Sequence, residues 1–227
     1  MDRPLQTAVR FFRVIGSGQS YLNLIYLLVA FPLGVIYFIF LASGLSLGIS
    51  LLIIWVGIPI LLLVGAGWWA LAIFERFMAV HILNEDIPEM MPPSIEGRGI
   101  WIGLKDHFIN PVTWKSLLYL FLKFPLGIAT FVILITLISL TMAFLTMPFT
   151  YKFLSEIQLG VFFGLGLPVW HIEGISDALL GALIGLILWP VTLHVTNGFA
   201  WLHAKFAKVM LSDDPLEWGT TPEPNVA

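Results

Sequence analysis

The chain has 227 residues, of which 59% are hydrophobic and 11% are charged, and its mean hydropathy is +0.94. Soluble domains carry about 25% charged residues, so this composition excludes an ordinary water-soluble domain and indicates an all-α integral membrane protein. The net charge of −3 says little about partners, and the absence of cysteine excludes disulfides, thiolate metal sites and cysteine nucleophiles.

Charged residues are missing from three long stretches of the chain, which are residues 14–74, 124–151 and 178–204. A membrane-spanning helix needs about 20 apolar residues, so the first stretch holds two spans and each of the others holds one. We therefore predict four transmembrane helices with a turn at Ser43-Gly44. Their approximate limits are Tyr21–Ala42, Leu45–Ala70, Trp114–Leu137 and Asp177–Trp201.

The remaining segments are assigned by their polarity and their place between the spans. We predict an amphipathic cytoplasmic segment at 1–20, a cytoplasmic loop at 84–113, an external elaboration at 138–176 and a flexible cytoplasmic tail at 212–227. Amphipathic helices on the membrane surface are predicted near 100–108 and 202–211. The membrane domain itself is expected to occupy residues 21–211.

The basic residues give the orientation of the four spans. Nine of them fall on the side that holds both chain ends, and only Lys152 falls on the other side. Because Lys and Arg accumulate in cytoplasmic segments, we expect a multi-pass protein of the plasma membrane with both termini in the cytoplasm. The nine residues are Arg3, Arg10, Arg13, Arg76, Arg98, Lys105, Lys115, Lys205 and Lys208.

An internal repeat divides the membrane domain in two. The stretch Leu24–Phe38 (LIYLLVAFPLGVIYF) returns 93 residues later as Leu117–Phe131 (LLYLFLKFPLGIATF), with eight of fifteen positions identical. We predict two parallel-repeat hairpins, residues 21–83 and 114–211, related by a pseudo-twofold axis along the membrane normal. The repeated residues are candidates for a structural kink with close helix packing, or for a hinge or ligand cleft: Pro32, Gly34, Pro125 and Gly127, with Tyr26 and Tyr119.

Ionisable and polar residues within or beside the spans are the other candidate functional residues. His194 and Asn197 lie inside the fourth span, either as a titrating site or as a neutral imidazole bonded to Thr192, Asn197 or a facing helix. Lys123 is predicted to extend its ammonium to lipid headgroups. Four residues at the inner helix ends are signal-output candidates, and Glu75 is expected to pair locally or with Arg98, Lys105 or Lys205. These four are Glu75, Arg76, His203 and Lys205.

Catalytic and metal-binding signatures are missing from the sequence. There is no nucleotide-binding glycine pattern, no His-Glu-x-x-His and no Gly-x-Ser-x-Gly, so we expect neither enzyme activity nor a cofactor. Acidic and histidine residues of the 138–176 segment and its flank lack a recognised ligand spacing, and we predict no metal site. No nucleic-acid-binding module is recognisable either. The residues weighed as metal ligands are Glu156, His171, Glu173 and Asp177, of which His171 and Glu173 lie in the stretch Trp170–Glu173.

The repeated motifs resemble a known family. The stretch Trp114–Gly127 (WKSLLYLFLKFPLG), preceded by Asn110–Thr113, and the first copy Tyr26–Gly34, with Phe74-Glu-Arg closing span two, look like the "putative sensor" membrane domain of bacteria and archaea. That domain usually lies N-terminal to two-component histidine kinases, and the resemblance covers about residues 20–211. It implies a multi-span sensory input module. Only sixteen residues follow Leu211, so we expect a free-standing input domain that acts through a separate partner.

Three functions are compatible with these features. The first is a sensory or regulatory subunit that detects a membrane or lipophilic signal and passes it to a histidine kinase or transcriptional regulator. The second is a small transporter or lipid-handling protein with a polar path past His194. The third is a membrane scaffold that acts through the tail and the 84–113 loop. Membrane lipids are expected partners in each case, and a homodimer is compatible with all three.

Overall fold

Four long helices account for most of the protein in a computed structural model that describes residues 11–88, 111–154 and 174–212. They are α1 (Gly18–Ser50), α2 (Gly57–His81), α3 (Pro111–Leu154) and α4 (Ile175–Leu211). Each is long and apolar enough to cross a membrane, and no strand occurs in the described residues. The predicted all-helical, four-span, multi-pass architecture is confirmed. The predicted surface helix at 100–108, residues 1–10 and nearly all of the tail lie outside the described residues.

The helices suit a hydrocarbon environment, because many large aliphatic side chains face outward and small side chains lie where helices pack closely. In α4, Leu183 and Ile187 are 57% and 55% exposed, whereas Ala200, Ala204 and Ala207 are buried. Lipid tails are as apolar as leucine, so a large aliphatic side chain gains little by moving from lipid into the interior, and small residues that allow close packing are favoured at helix contacts.

The predicted turn at Ser43-Gly44 is wrong, because α1 continues to Ser50 and the turn lies at residues 51–56. The Ser43 hydroxyl donates a hydrogen bond to the carbonyl of Ile39 one turn earlier, so the serine satisfies itself within the helix. The turn consists of a 3-10 helix, Leu51–Ile54, followed by Trp55 in the left-handed region with φ of 63°. Span two therefore begins at Gly57.

The predicted end of span three at Leu137 is wrong, because residues 138–154 continue α3. The placement of residues 138–176 outside the membrane stays a prediction. Thr146 and Thr150 donate hydrogen bonds to the carbonyls of Met142 and Thr146, 2.8 and 3.1 Å away. Hydroxyls bonded inside their own helix expose no unsatisfied donor, so an apolar stretch that contains them stays helical. Residues 155–173 lie outside the described part of the chain.

The chain divides into two compact units that do not coincide with the two repeats. The first unit comprises residues 1–24 and 130–198. Within it α3 and α4 pack closely, because a Cβ at Gly185 would lie 2.8 Å from the Leu145 backbone nitrogen and Gly181 lies against Met147. The hydroxyls of Thr141 and Thr192 are 3.0 Å apart between the same helices.

The second unit comprises residues 25–129 and 199–227. Within it α1 and α2 form an antiparallel hairpin in which Gly44 lies against Val64 and Gly48 against Leu61. The hairpin turn is tight, since the α-carbon of Gly57 lies against the carbonyl oxygen of Gly48. The core of this unit contains large and small buried side chains, among them Tyr37, Leu41, Val64, Trp68, Ala72, Ala79, Tyr119, Leu120, Ala207 and Leu211.

We predict that Gly57→Ala destabilises the protein by about 1–3 kcal/mol, because its methyl group would overlap the backbone of α1. Gly65→Ala is the matched control, since a Cβ there meets nothing within 4 Å and alanine is the better helix former. Thermal unfolding in detergent measures both variants. Equal stability of the two variants would show that the turn is not packed as described.

Candidate functional site: a buried ion pair and its tyrosines

The repeated Phe-Pro-Leu-Gly motifs bring α1 and α3 into direct backbone contact. A Cβ on Gly34 would lie 3.0 Å from the Lys123 carbonyl oxygen, and one on Gly127 would lie 3.1 Å from the Ala30 carbonyl oxygen. The contacts are reciprocal, because positions 30 and 34 correspond to 123 and 127 in the repeat. The glycines leave no room for a ligand between the motifs, which argues against a cleft there. A hinge at the exposed Pro32 and Pro125 stays a prediction.

Next to this crossing, Lys123 and Glu75 form an ion pair in the interior of the second unit. The Lys123 ammonium lies 2.6 Å from Oε2 of Glu75, and the two side chains are 1% and 0% exposed. Glu75 comes from α2 and Lys123 from α3, so the pair links these two helices. Bringing both charges out of water costs several kcal/mol per ion, which only good geometry and additional hydrogen bonds offset.

Three tyrosines supply those additional hydrogen bonds. Tyr37 and Tyr119 each donate to a different oxygen of the Glu75 carboxylate, at 2.9 Å. The Lys123 ammonium also donates to the Tyr26 hydroxyl at 2.7 Å and lies 4.8 Å from the centre of the Tyr26 ring. Each carboxylate oxygen thus has a donor and the ammonium has a second acceptor and an aromatic face. We call these five residues the Glu75–Lys123 network.

His203 of α4 borders the network. It is 2% exposed, and its ring meets the Tyr26 ring edge-on with 6.3 Å between centroids. Its Nε2 has no hydrogen-bond partner among the described residues. His203 lies 128 residues after Glu75, the same spacing that relates Ala72 to Ala200 and Ala79 to Ala207. The second repeat thus carries a histidine where the first carries the buried acid.

The residue after Glu75 holds the segment that leaves α2. Arg76 donates from Nε to the carbonyl of Pro88 and from Nη2 to that of Ile87, both at 2.7 Å. Glu85 of the same segment accepts from Lys205 of α4 at 2.8 Å and lies 3.3 Å from the Lys208 ammonium. Residues 82–88, which we call the clamp segment, are therefore attached to both α2 and α4.

The electrostatics of the clamp segment centre on Glu85. Partial burial raises the pKa of its carboxyl, but hydrogen bonds from Lys205 and Lys208 outweigh burial and hold that pKa below its ordinary value. The carboxylate is thus ionised at neutral pH, and both lysines are held near it.

His194 and Asn197 lie in the first unit and have separate surroundings. His194 is exposed, its ring stacks on Phe11 at 5.2 Å, and its Nε2 lies 3.3 Å from the Phe11 carbonyl oxygen. Asn197 accepts from Asn23 and donates to Ser20, each at 2.9 Å. The predicted bond of His194 to Thr192 or Asn197 is not formed, because Asn197 bonds to α1 instead.

Two predictions about charged residues are wrong. Lys123 does not extend to lipid headgroups, because its ammonium is held inside the protein by Glu75 and Tyr26. Glu75 does not pair with Lys205, because Lys205 binds Glu85; the other two suggested partners of Glu75, at 98 and 105, lie outside the described residues. As proposed output residues, Arg76 and Lys205 meet at the clamp segment, whereas Glu75 and His203 are buried.

Tyr37 was not singled out from the sequence, although a signal for it exists. It follows Tyr26 by eleven residues, about three helical turns, so both hydroxyls lie on one face of α1. The pairing of Glu75 with Lys123 also had a signal, since both adjoin stretches without charge and need a partner when buried. Of the candidate metal ligands only Asp177 is described, and the described residues contain no group of three potential ligands.

The fold and the site define the class of protein: a multi-pass helical membrane protein in which one of two compact units contains a buried ionic network. Against known families, the one described as "Putative sensor" matches residues 26–211, and the chain belongs to this family. The match contains the second copy of the repeat, the first copy except residues 24 and 25, and every residue of the Glu75–Lys123 network. No curated protein and no solved structure matches the chain.

We predict that removing one partner of the ion pair destabilises the protein far more than removing both. Glu75→Gln or Lys123→Met leaves one buried polar group without its charged partner, which costs about 3–5 kcal/mol, whereas the double variant should regain most of that loss. Thermal unfolding of the four proteins in detergent gives the coupling energy. Lys205→Met, at a partly exposed pair, is the control and should cost about 1 kcal/mol or less. Losses that simply add would contradict the coupling.

We predict that the contribution of Glu85 to stability depends on pH. Its folded-state pKa is lowered, so the contribution is fully present above the unfolded pKa of about 4.3 and is lost as the pH falls through the lower folded pKa. The stability difference between the wild type and Glu85→Gln should therefore shrink below about pH 4. Asp86→Asn, at the exposed neighbouring carboxylate, controls for net charge. A difference that is constant with pH would contradict the assignment.

Proposed function

We propose that the chain is a non-enzymatic sensory or regulatory membrane subunit that detects a membrane or lipophilic signal and passes it to a separate signalling partner. Its membership of the "Putative sensor" family supports the sensory role. On this proposal the protein lies in the plasma membrane, with both termini and the clamp segment in the cytoplasm. The partner is a histidine kinase or a transcriptional regulator.

The observation that carries the mechanism is the adjacency of Glu75 and Arg76. The Glu75 carboxylate accepts hydrogen bonds from Tyr37 of α1 and from Tyr119 and Lys123 of α3. Arg76 donates hydrogen bonds to two carbonyls of the clamp segment. These residues share one turn of α2, so a rotation or shift of α2 that disturbs the ion pair also displaces Arg76. A change in helix packing is thereby converted into a movement of the clamp segment.

The signal acts on this arrangement as a population shift. A lipid, an amphipathic compound or a bilayer of altered thickness favours the packing with which it interacts better, and only such a difference in affinity moves the equilibrium. A buried ion pair suits a switch, because its loss costs several kcal/mol and separates two discrete states. The clamp segment and the end of α4 then present the change to the partner.

The transporter alternative receives less support from the described residues. Several polar groups of the first unit are paired with one another, Asn197 with Asn23 and Ser20, and Thr141 with Thr192, whereas the buried Trp189 Nε1 has no hydrogen-bond partner among the described residues. The nearby cavity of about 150 Å³ has an apolar wall and is lined by residues that include Tyr21, Leu24 and Ile138. Paired polar groups and an apolar cavity favour a packing role over a permeation path.

The partner is tested by photo-crosslinking in the native host. A photoreactive amino acid at Asp86, an exposed position of the clamp segment, should form adducts with a histidine kinase or a transcriptional regulator. The matched control is Ile187, which is 55% exposed on α4 and far along the chain from the clamp segment. Adducts at Asp86 that are absent or identical to those at Ile187 would overturn the proposal. Deleting residues 212–227 tests the scaffold alternative, which requires the tail.

A further inference from the structure

The turn between α1 and α2 is apolar throughout and projects from the protein. Its sequence, residues 51–56, is Leu-Leu-Ile-Ile-Trp-Val, without one charged or hydroxyl side chain. Ile53 is 88% exposed, Ile54 60% and Trp55 79%. Turns that face water are rich in polar residues and glycine, and a contiguous exposed apolar surface marks an interaction site.

The backbone of the turn meets the requirement for entering hydrocarbon. The Trp55 amide donates to the Leu52 carbonyl at 3.1 Å, and the Ile58 amide donates to the Trp55 carbonyl at 3.4 Å. Lipid offers no hydrogen bonds, so a segment that contacts acyl chains has to satisfy its own backbone groups. These two bonds satisfy the amides of Trp55 and Ile58 within the turn itself.

The length of α2 fits a turn that lies within the membrane. Eighteen residues separate Gly57 from Glu75, which at 1.5 Å per residue is about 27 Å along the helix. The hydrocarbon core of a bilayer is about 30 Å thick. With the charged end of α2 at Arg76 on one boundary, the turn reaches the opposite leaflet without extending beyond it.

We propose that residues 51–56 insert into the acyl chains of the leaflet opposite the Arg76 end and form a lipid-binding surface. The adjoining residues support lipid as the occupant, because Leu47, Ile49 and Leu63 are 57%, 60% and 67% exposed and extend the same apolar surface along both helices. A protein interface would carry a polar rim, and this turn has no side chain to form one. Trp55 suits the boundary between acyl chains and headgroups.

The role of this surface rests on the proposed function: in a sensor of the membrane, the turn is the part of the protein that contacts the bilayer. A change in thickness or composition of that leaflet acts on the turn and is carried along α2 toward Glu75. The insertion itself requires no signalling partner, so it is tested independently of the crosslinking at Asp86.

The chain has no native cysteine, which permits a direct test with single-cysteine variants. Ile53→Cys and Ile54→Cys carry a nitroxide in the full-length protein, reconstituted in phosphatidylcholine–phosphatidylglycerol nanodiscs. Power saturation compares collisions with oxygen, which concentrates in hydrocarbon, and with a water-soluble nickel chelate. Ile187→Cys is the lipid-exposed reference and Asp86→Cys the aqueous one. Both turn positions are exposed, so labelling should not disturb folding.

We expect both turn positions to match Ile187, with high oxygen accessibility and loss of the nickel collisions seen at Asp86. Nickel accessibility equal to that of Asp86 would overturn the proposal, because the turn would then lie in water. Low accessibility to both reagents would also overturn it, because a protein or a second copy would cover the turn. Insertion without kinase or regulator crosslinks would instead remove the proposed partner and leave the lipid surface intact.

Discussion

The ion pair between Glu75 and Lys123 is the constraint on which the second unit depends. Neither charge reaches solvent, so each is tolerated only while the other, and the tyrosine hydroxyls around them, stay in hydrogen-bonding distance. These groups come from α1, α2 and α3, and their distances are satisfied together only when the three helices keep one register. A purely apolar interface would allow the helices to slide along one another, whereas sliding here would break the hydrogen bonds of the network.

The two copies of the repeat make matching contacts, and the charged residues of the network lie at positions where the copies differ. Tyr26 and Tyr119 correspond to each other, as do Gly34 and Gly127, which make the reciprocal contacts between α1 and α3. The correspondence fails at Lys123, which matches an alanine, and at Glu75, which the 128-residue spacing matches to a histidine. A symmetric frame therefore holds one asymmetric pair of charges. Because only one copy of each position is charged, the ion pair joins one defined pair of helices, α2 and α3.

Charge-free stretches and length predicted the number of helices, because the cost of charge in hydrocarbon is large and applies along the whole span. Helix ends were harder to predict. Ser43, Thr146 and Thr150 look like turn residues in a soluble protein, yet each bonds to its own helix, and an apolar environment offers no alternative partner. The burial of Lys123 was not predicted either. Lysines near the end of a span generally extend to the headgroups, whereas burial requires that the fold bring an acidic residue, here Glu75, close to the ammonium.

Helix α2 connects the turn that we propose to contact lipid, residues 51–56, to the clamp segment. The helix is continuous over 25 residues, so its ends move together unless it bends. Its first residue closes the apolar turn, and Glu75 and Arg76 lie near its other end. A displacement at the turn therefore meets resistance at the ion pair before it reaches the clamp segment. On the proposed mechanism the ion pair sets an energetic threshold for the movement. Small fluctuations of the bilayer leave Glu75 and Lys123 paired, and only a stimulus that offsets the cost of separating them moves the clamp segment.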